Sequence, residues 1–298
     1  MIMKAIKTDG LTKYYGKHRG IEGISLSVDE GDFFGFIGPN GAGKSTTIRT
    51  LMGLLSPTGG TAEIFGMDVC KNKTGILSEV GYLPSEAVFY GGMRVRDILR
   101  LSADLHKKDC TEEAKRLCER LELDPSRKID ELSLGNRKKV GIVCAMQHRP
   151  RLYVLDEPTS GLDPLMQREF YSLLSERNKE GATVFLSSHI LSEVQKYCSR
   201  AAVIRDGRIL ICDSVEKLGH TGAKRVVLAG VSDVPDLEGV RDIKKSQDGV
   251  SFLYSGKADL LLKALSALPV TDVTISEPDL EEIFMHYYAK EENRNDGI

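Results

Sequence analysis

Apolar residues occur in short continuous blocks along the first two-thirds of the chain, with amphipathic stretches between them. The clearest blocks are ISLSV (Ile24 to Val28), DFFGFIG (Asp32 to Gly38), RLYVLD (Arg151 to Asp156) and TVFLSSH (Thr183 to His189). Blocks without polar alternation are typical of strands that are buried on both faces. Because these strands alternate with helical patterns, we predict an α/β sheet covered by helices.

The stretches between the blocks predict helices and one hairpin. A helix should begin near Lys44, where apolar residues recur on one helical face: Ile48, Leu51, Met52 and Leu55. Between about residues 94 and 147 the β-rich blocks give way to long helical patterns, so we predict a helical insertion in the sheet. Further on, AAVIRDGRILIC predicts a hairpin with Asp206 and Gly207 in its turn.

Residues 220 to 298 predict a small α+β domain behind a first domain of residues 1 to 219. Its pattern gives a strand, a hairpin turn, a helix, a strand and a last helix: Arg225 to Leu228, Gln247 to Gly249, Ala258 to Leu268, Val270 to Ile275 and Asp279 to Tyr288. The last helix has an apolar face of Leu280, Ile283, Phe284 and Tyr287. A length of 298 residues agrees with one large domain and one small one.

Charge and composition narrow the classes of function. A formal net charge of −2 offers no basic excess for phosphate backbones, which argues against a nucleic-acid partner. The start, MIMKAIKTDG, lacks the features of a secretory signal, so we expect a cytoplasmic protein. No apolar run approaches the roughly 18 to 20 residues that cross a bilayer, so a membrane role would need a partner. The 6 cysteines lack C-x-x-C spacing and are predicted to be reduced packing residues.

The strongest chemical signal is a G-x-x-x-x-G-K-[ST] loop between the second strand and the helix behind it. It consists of Gly38, Pro39, Asn40, Gly41, Ala42, Gly43, Lys44 and Ser45, with Thr46 next in the helix. Glycines let the backbone wrap around phosphates, and the loop N–H groups and helix N-terminus attract anions. We predict that this loop binds ATP, with Lys44 on the β- and γ-phosphates and Ser45 on Mg²⁺.

Two acids end the third strand, at the sheet edge where ligands of α/β proteins bind. Asp156 is predicted to hold Mg²⁺, and Glu157 to accept a proton from the water that attacks the γ-phosphate. Together with the loop, these acids would fit kinases, GTPases and many other ATPases.

Three further stretches resemble the ABC ATPase family. ELSLGN (Glu131 to Asn136) resembles the signature that is usually written L-S-G-G-Q, PTSGLD (Pro158 to Asp163) resembles the D-loop, and His189 resembles the switch histidine. Their order and spacing match the family over about residues 5 to 215. Leu134 replaces the first glycine of the signature, and Asn136 replaces its glutamine.

The resemblance implies a site that two subunits share. Ser133 and Gly135 would face the γ-phosphate held by the other subunit, and Asp163 would belong to the nucleotide-binding residues. Ser133 also suits an ordinary helix N-cap, and both roles can hold at once. His189 would sense the γ-phosphate, and Tyr15 would stack on adenine.

The family's Q-loop is occupied here by VGYLPSE (Val80 to Glu86). A glutamine normally touches Mg²⁺ and the attacking water, but Ser85 stands at that position and is too short to do so without a bridging water. Glu86 follows and is long enough, so we predict it as a metal ligand. The alternative is that Glu86 points to solvent and that the loop couples only mechanically.

EPDLEEIF (Glu277 to Phe284) resembles the accessory domain of ATPases that work with separate permeases in bacterial drug, antibiotic and sodium export. The resemblance therefore implies an ATP- and Mg²⁺-dependent subunit, a homodimer or a pair with a similar subunit, held at the cytoplasmic face of the membrane by a separately encoded integral membrane permease. One alternative is a soluble ABC-type ATPase of DNA repair, chromosome maintenance or translation. Another is a small-molecule P-loop kinase, which would leave the signature, D-loop and switch histidine unexplained.

Overall fold

Two sheets and a set of helices build the first part of the chain. The computed structural model describes residues 3–219, 223–246 and 248–276, and the chain divides into two compact units, Met1–Asp213 and Ser214–Ile298. The predicted domain boundary at 219/220 lies one short helix further along the chain than this division.

The elements of the first unit are β1 (Lys4–Tyr15), β2 (His18–Asp29), β3 (Phe33–Ile37), α1 (Lys44–Leu51), β4 (Gly59–Ile64), β5 (Met67–Asp68), α2 (Lys73–Glu79), β6 (Val80–Leu83), α3 (Val95–Leu105), α4 (Thr111–Arg120), a 3₁₀ turn (Ile129–Glu131), α5 (Leu134–Met146), β7 (Leu152–Asp156), α6 (Pro164–Lys179), β8 (Thr183–Ser188), α7 (Leu191–Tyr197), β9 (Arg200–Arg205) and β10 (Arg208–Ser214).

The central sheet has the strand order β10-β9-β3-β8-β7-β6, and β9, β3, β8, β7 and β6 run parallel. Every residue of β3, β7 and β8 is buried, as their continuous apolar sequences predict. Phe34 and Phe185 stack across neighbouring strands with ring centroids 5.8 Å apart. The α/β fold class that the sequence predicted is confirmed.

The second sheet, of order β2-β1-β4-β5, is antiparallel. Its long strands β1 and β2 went largely unpredicted, since the block at Ile24 to Val28 covers only the end of β2. The pairing of β1 with β2 shifts register four times, between Lys4 and Ile6, Thr8 and Leu11, Leu11 and Lys13, and Lys13 and Tyr14. Register shifts interrupt the alternation of polar and apolar residues that identifies a strand in a sequence.

Helices α3, α4 and α5 lie between β6 and β7, where the insertion at residues 94 to 147 was predicted. Ion pairs join α4 to α6: Arg120 contacts Glu169 and Glu176, and Arg177 contacts Glu113. Among the described residues, no helix combines the length and the apolar character that crossing a lipid bilayer requires.

The second unit is described by α8 (Val215–Gly219), β11 (Lys224–Ala229), β12 (Val240–Lys245), β13 (Gly249–Tyr254), α9 (Ala258–Ser266) and β14 (Asp272–Ser276). Its sheet has the order β12-β13-β11-β14 and is antiparallel, and its core includes Val226, Leu228, Phe252 and Leu261.

The predicted elements of this unit fall close to the observed ones. β14 begins at Asp272 and not at Val270, because the backbone N–H of Val270 donates to the carbonyl of Leu268 in the turn that ends α9. The predicted turn lies between β12 and β13, although Gln247 itself is outside the described residues. The predicted last helix, Asp279 to Tyr288, and the EPDLEEIF stretch also lie outside the described residues.

Candidate active site

The predicted site residues meet at the carboxyl ends of three adjacent parallel strands. β3 leads into the glycine-rich loop, β7 ends at Asp156, and β8 ends just before His189. Ile37 lies beside Ser188, and Asp156 lies beside Ser187, in the registers of these strands. This sheet edge is where ligands of α/β folds bind.

Two glycines let the loop pass close to neighbouring backbone. A Cβ on Gly38 would lie 2.3 Å from the carbonyl oxygen of Ile204, and one on Gly43 would lie 2.9 Å from that of Gly20. Gly43 also has φ +105°, which side chains with a Cβ rarely adopt. No side chain of the described residues caps α1, so its first N–H groups remain available to an anion.

Lys44 lies almost entirely inside the protein, with 5% of its surface exposed. Its Nζ donates to the carbonyl oxygens of Gly38 at 2.7 Å and Pro39 at 3.1 Å, and pairs with Glu157 Oε1 at 3.2 Å. The loop thus holds the ammonium group beside the Glu157 carboxylate. Phosphate oxygens would compete with Glu157 for it, because charge-assisted hydrogen bonds to phosphate are strong.

Asp156 is fully buried, and only one of its two carboxylate oxygens has a hydrogen-bond partner among the described residues. Oδ1 accepts a hydrogen bond from Ser187 Oγ at 2.7 Å, whereas Oδ2 is buried without a hydrogen-bond partner among the described residues. A buried carboxylate oxygen needs a compensating donor or cation. Mg²⁺ prefers hard oxygen ligands and is usually held by one or two carboxylates together with substrate phosphates, so Asp156 fits this ion.

Glu157 has a left-handed backbone, with φ +46°. Its N–H donates to the carbonyl oxygen of Ser187 at 3.2 Å and to Ser187 Oγ at 3.1 Å. Its Oε1 lies 3.4 Å from Nδ1 of His189, which is 47% exposed. Lys44 and His189 therefore both contact the carboxylate that was predicted to be the general base.

Ser187 was not predicted, although it hydrogen-bonds both acids of the site. Its hydroxyl donates to Asp156, and its oxygen accepts from the backbone of Glu157. The paired serines at the end of TVFLSS were the available signal, but the contact depends on the register between β7 and β8.

The signature and D-loop residues contact each other within one chain. Ser133 N-caps α5, and its Oγ accepts from the N–H of Asn136 at 3.3 Å. A Cβ on Gly135 would lie 2.6 Å from the carbonyl oxygen of Gly161. Asp163 N-caps α6 by accepting from the N–H groups of Leu165 and Met166, each at 3.0 Å. The capping role of Ser133 is therefore observed, and its role toward a second subunit stays a prediction.

Tyr15 and Glu86 were predicted to contact the nucleotide and the metal. Tyr15 is 46% exposed, with Nζ of Lys13 5.5 Å from its ring centroid, and an exposed ring of this kind can stack on a base. Glu86 is exposed and Ser85 is partly buried. Their roles at the nucleotide and the metal stay predictions.

Lys138 of α5 was not predicted from the sequence. It is 4% exposed, and its Nζ donates to the carbonyl oxygens of Ser85 at 2.8 Å and Pro84 at 3.2 Å. Burial lowers the pKa of Lys138 to about 8, against the opposing attraction of Asp156, Glu157 and Glu86.

Comparison with known proteins identifies the family of the chain. A family profile described as ABC transporter matches residues 21–160. The bacitracin transport ATP-binding protein BcrA of Bacillus licheniformis is 36% identical, over 94% of this chain and 96% of its own length. The probable multidrug ABC transporter ATP-binding protein YbhF of Escherichia coli is 34% identical over 72% of this chain but only 38% of its own.

Solved structures show the same fold. The ATP binding subunit of an ABC transporter superposes with a TM-score of 0.68 at 30% identity, covering 72% of this chain and 91% of that one. The dimeric structure of MJ0796, a bacterial ABC transporter cassette, has a TM-score of 0.65 at 24% identity over 70% of this chain and 98% of its own, which supports the fold alone.

Proposed function

Since the chain belongs to the ABC transporter family of ATP-binding, ATP-hydrolysing subunits, we propose that two copies close around ATP and that a separate membrane permease turns this cycle into export. The observation that carries the proposal is the contact of Glu157 with both Lys44 and His189, beside a buried Asp156 with a spare oxygen. The nucleotide changes the contacts of these groups, as ligand-driven switching requires.

Each group has a distinct task in this proposal. The N–H groups at the start of α1 and the ammonium of Lys44 bind phosphates, while Asp156 and Ser45 would hold Mg²⁺, which would neutralise phosphate charge. Phosphate draws Lys44 away from Glu157, and the freed carboxylate accepts the proton of the attacking water. His189, which lies 3.4 Å from Glu157 Oε1, then contacts the γ-phosphate.

The dimer is proposed to be a homodimer whose two sites each take residues from both chains. Ser133 lies at the N-terminus of α5, where its hydroxyl and the helix dipole can meet an anion that a second chain presents. Mixing Lys44→Ala chains with Ser133→Arg chains tests this. One site of a mixed dimer then has both lesions and the other has none, so ATPase activity should rise above that of either variant alone.

Two controls accompany the mixing experiment. Ser133→Ala removes the cap without adding bulk and should cost about 1 kcal/mol of stability, so comparison of its ATPase activity and unfolding with those of Ser133→Arg separates capping from blocking. Full activity of Ser133→Arg by itself would contradict a shared site.

A permease would hold the protein at the cytoplasmic face of the membrane. We propose that the permease binds at the helical insertion. A cavity of about 1250 Å³ lies there between α3 and α4, and its lining residues include Leu99, Ala103, Ala114 and Pro125. The test is to co-express the chain with a neighbouring gene product that has several apolar spans of roughly 20 residues. Co-purification in detergent and a raised ATPase rate are expected, and their absence would favour the ATPase that is not linked to transport.

The Q-loop provides a further prediction. Glu86→Ala should raise the Mg²⁺ concentration needed for half-maximal ATPase activity and weaken stimulation by the permease, if this carboxylate reaches the metal site when nucleotide is bound. Ser85→Ala is the matched variant. The measurement is Mg²⁺-dependent ATPase with and without permease. If both variants match the wild type in all four measurements, neither side chain does the work of the missing glutamine.

A further inference from the structure

Lys138 is a buried cation in α5, the helix whose N-terminus Ser133 caps. Its neighbours further along α5, Val140, Ile142 and Val143, are buried apolar residues. An ammonium group loses its hydration when it is buried, and this loss must be offset by hydrogen bonds or by opposite charge. A lysine that only packs would extend its amine to solvent, yet Lys138 is 4% exposed.

Its hydrogen bonds go to one short segment of backbone. Nζ donates to the carbonyl oxygens of Pro84 and Ser85, so α5 is tied to the loop that leaves β6. Ser85 stands where the family has a glutamine and is too short to reach the metal site directly. Lys138 thus fixes this loop through its main chain and leaves the side chains of Ser85 and Glu86 unconstrained by that contact.

The acids of the proposed site also attract Lys138. Asp156 and Glu157 each attract the ammonium group, as does Glu86. Asp156 is fully buried, and Glu157 is partly buried with Lys44 as its other cation.

We propose that Lys138 is a positioning residue for hydrolysis, which ties α5 to the Ser85 loop next to the end of β7, where Asp156 and Glu157 lie. This inference rests on the proposed role of Glu157. Because Ser133 caps α5, Lys138 connects the helix end that would meet the second subunit's nucleotide with the hydrolytic site of its own chain. Movement of α5 as the dimer closes would therefore shift the Ser85 loop.

Three substitutions separate the charge from the hydrogen bonds. Lys138→Arg keeps the charge and the hydrogen-bond donors. Lys138→Gln keeps a donor without the charge, and Lys138→Met keeps only a side chain of similar length. Lys179→Met removes an exposed lysine at the end of α6 and is the control. For each variant, kcat and KM for MgATP, ATP affinity, the Hill coefficient of turnover and thermal unfolding are measured on the full chain.

We expect Lys138→Met to lower kcat about tenfold, as the loss of a charge-assisted contact would. Its ATP affinity should stay within a few-fold of wild type, its Hill coefficient should fall, and Lys138→Arg should restore most of kcat. Lys138→Gln should fall between them. Wild-type kcat in Lys138→Met would overturn the inference. So would a loss of kcat that follows the loss of thermal stability across all three variants, because Lys138 would then have only a structural role.

The wild-type and Glu157→Gln proteins serve as reference. An active Glu157→Gln protein would contradict the proposed base itself. An inactive Glu157→Gln protein together with a fully active Lys138→Met protein would overturn only the role of Lys138.

Discussion

Glu157→Gln should bind ATP, fail to hydrolyse it and accumulate as an ATP-bound dimer. The amide occupies the same space as the carboxylate but cannot accept the proton of the attacking water, and losing a general base typically lowers the rate about 100-fold or more. Binding should not weaken, since the substitution removes a negative charge that lies 3.2 Å from the Nζ of Lys44. Phosphate release and size-exclusion chromatography with MgATP measure the two effects.

The control for this variant is Glu112→Gln, which changes an exposed glutamate in the first turn of α4. It should hydrolyse ATP like the wild type and should show no lasting dimer. Turnover by Glu157→Gln at the wild-type rate would rule out this residue as the base, and a monomeric, ATP-saturated Glu157→Gln protein would contradict the proposed closure.

Lys44→Ala should weaken ATP binding itself, by about 100-fold. The carbonyl oxygens of Gly38 and Pro39 hold the ammonium at the loop, where it would donate to the phosphates of ATP. Each hydrogen bond to a charged group contributes about 1.5 to 3 kcal/mol. The alanine also removes the ammonium group that lies 3.2 Å from Glu157 Oε1. Titration of a fluorescent ATP analogue, compared with exposed Lys179→Ala as control, measures the loss. An unchanged affinity would show that the loop N–H groups suffice to bind ATP without the Lys44 ammonium.

The sequence predicted those parts of the molecule where chemistry and burial leave a local pattern. β3, β7 and β8 are buried on both faces, so their apolar residues are continuous and easily recognised. The loop before α1 must wrap around phosphates and therefore shows its glycines and lysine in sequence. The order of these strands then brings Lys44, Glu157 and His189 together.

The parts that were missed depend on contacts between distant residues. Ser187 hydrogen-bonds Asp156 because β7 and β8 pair in one particular register. Lys138 is buried because α5 packs against β6 and the segment that follows it. A serine in a strand and a lysine in a helix are ordinary in a sequence, and the surroundings that make them unusual come from other segments of the chain.

The left-handed backbone at Glu157 favours glycine for stability, whereas the proposed chemistry requires a carboxylate. A residue with a Cβ is strained at φ +46°, typically by about 1 to 3 kcal/mol, whereas glycine adopts that conformation freely. Glycine, the residue that serves folding best at this position, could not act as the general base that we propose Glu157 to be. A laboratory selection for heat resistance alone would be drawn toward inactive sequences here, so such a screen on this chain must assay turnover in every round.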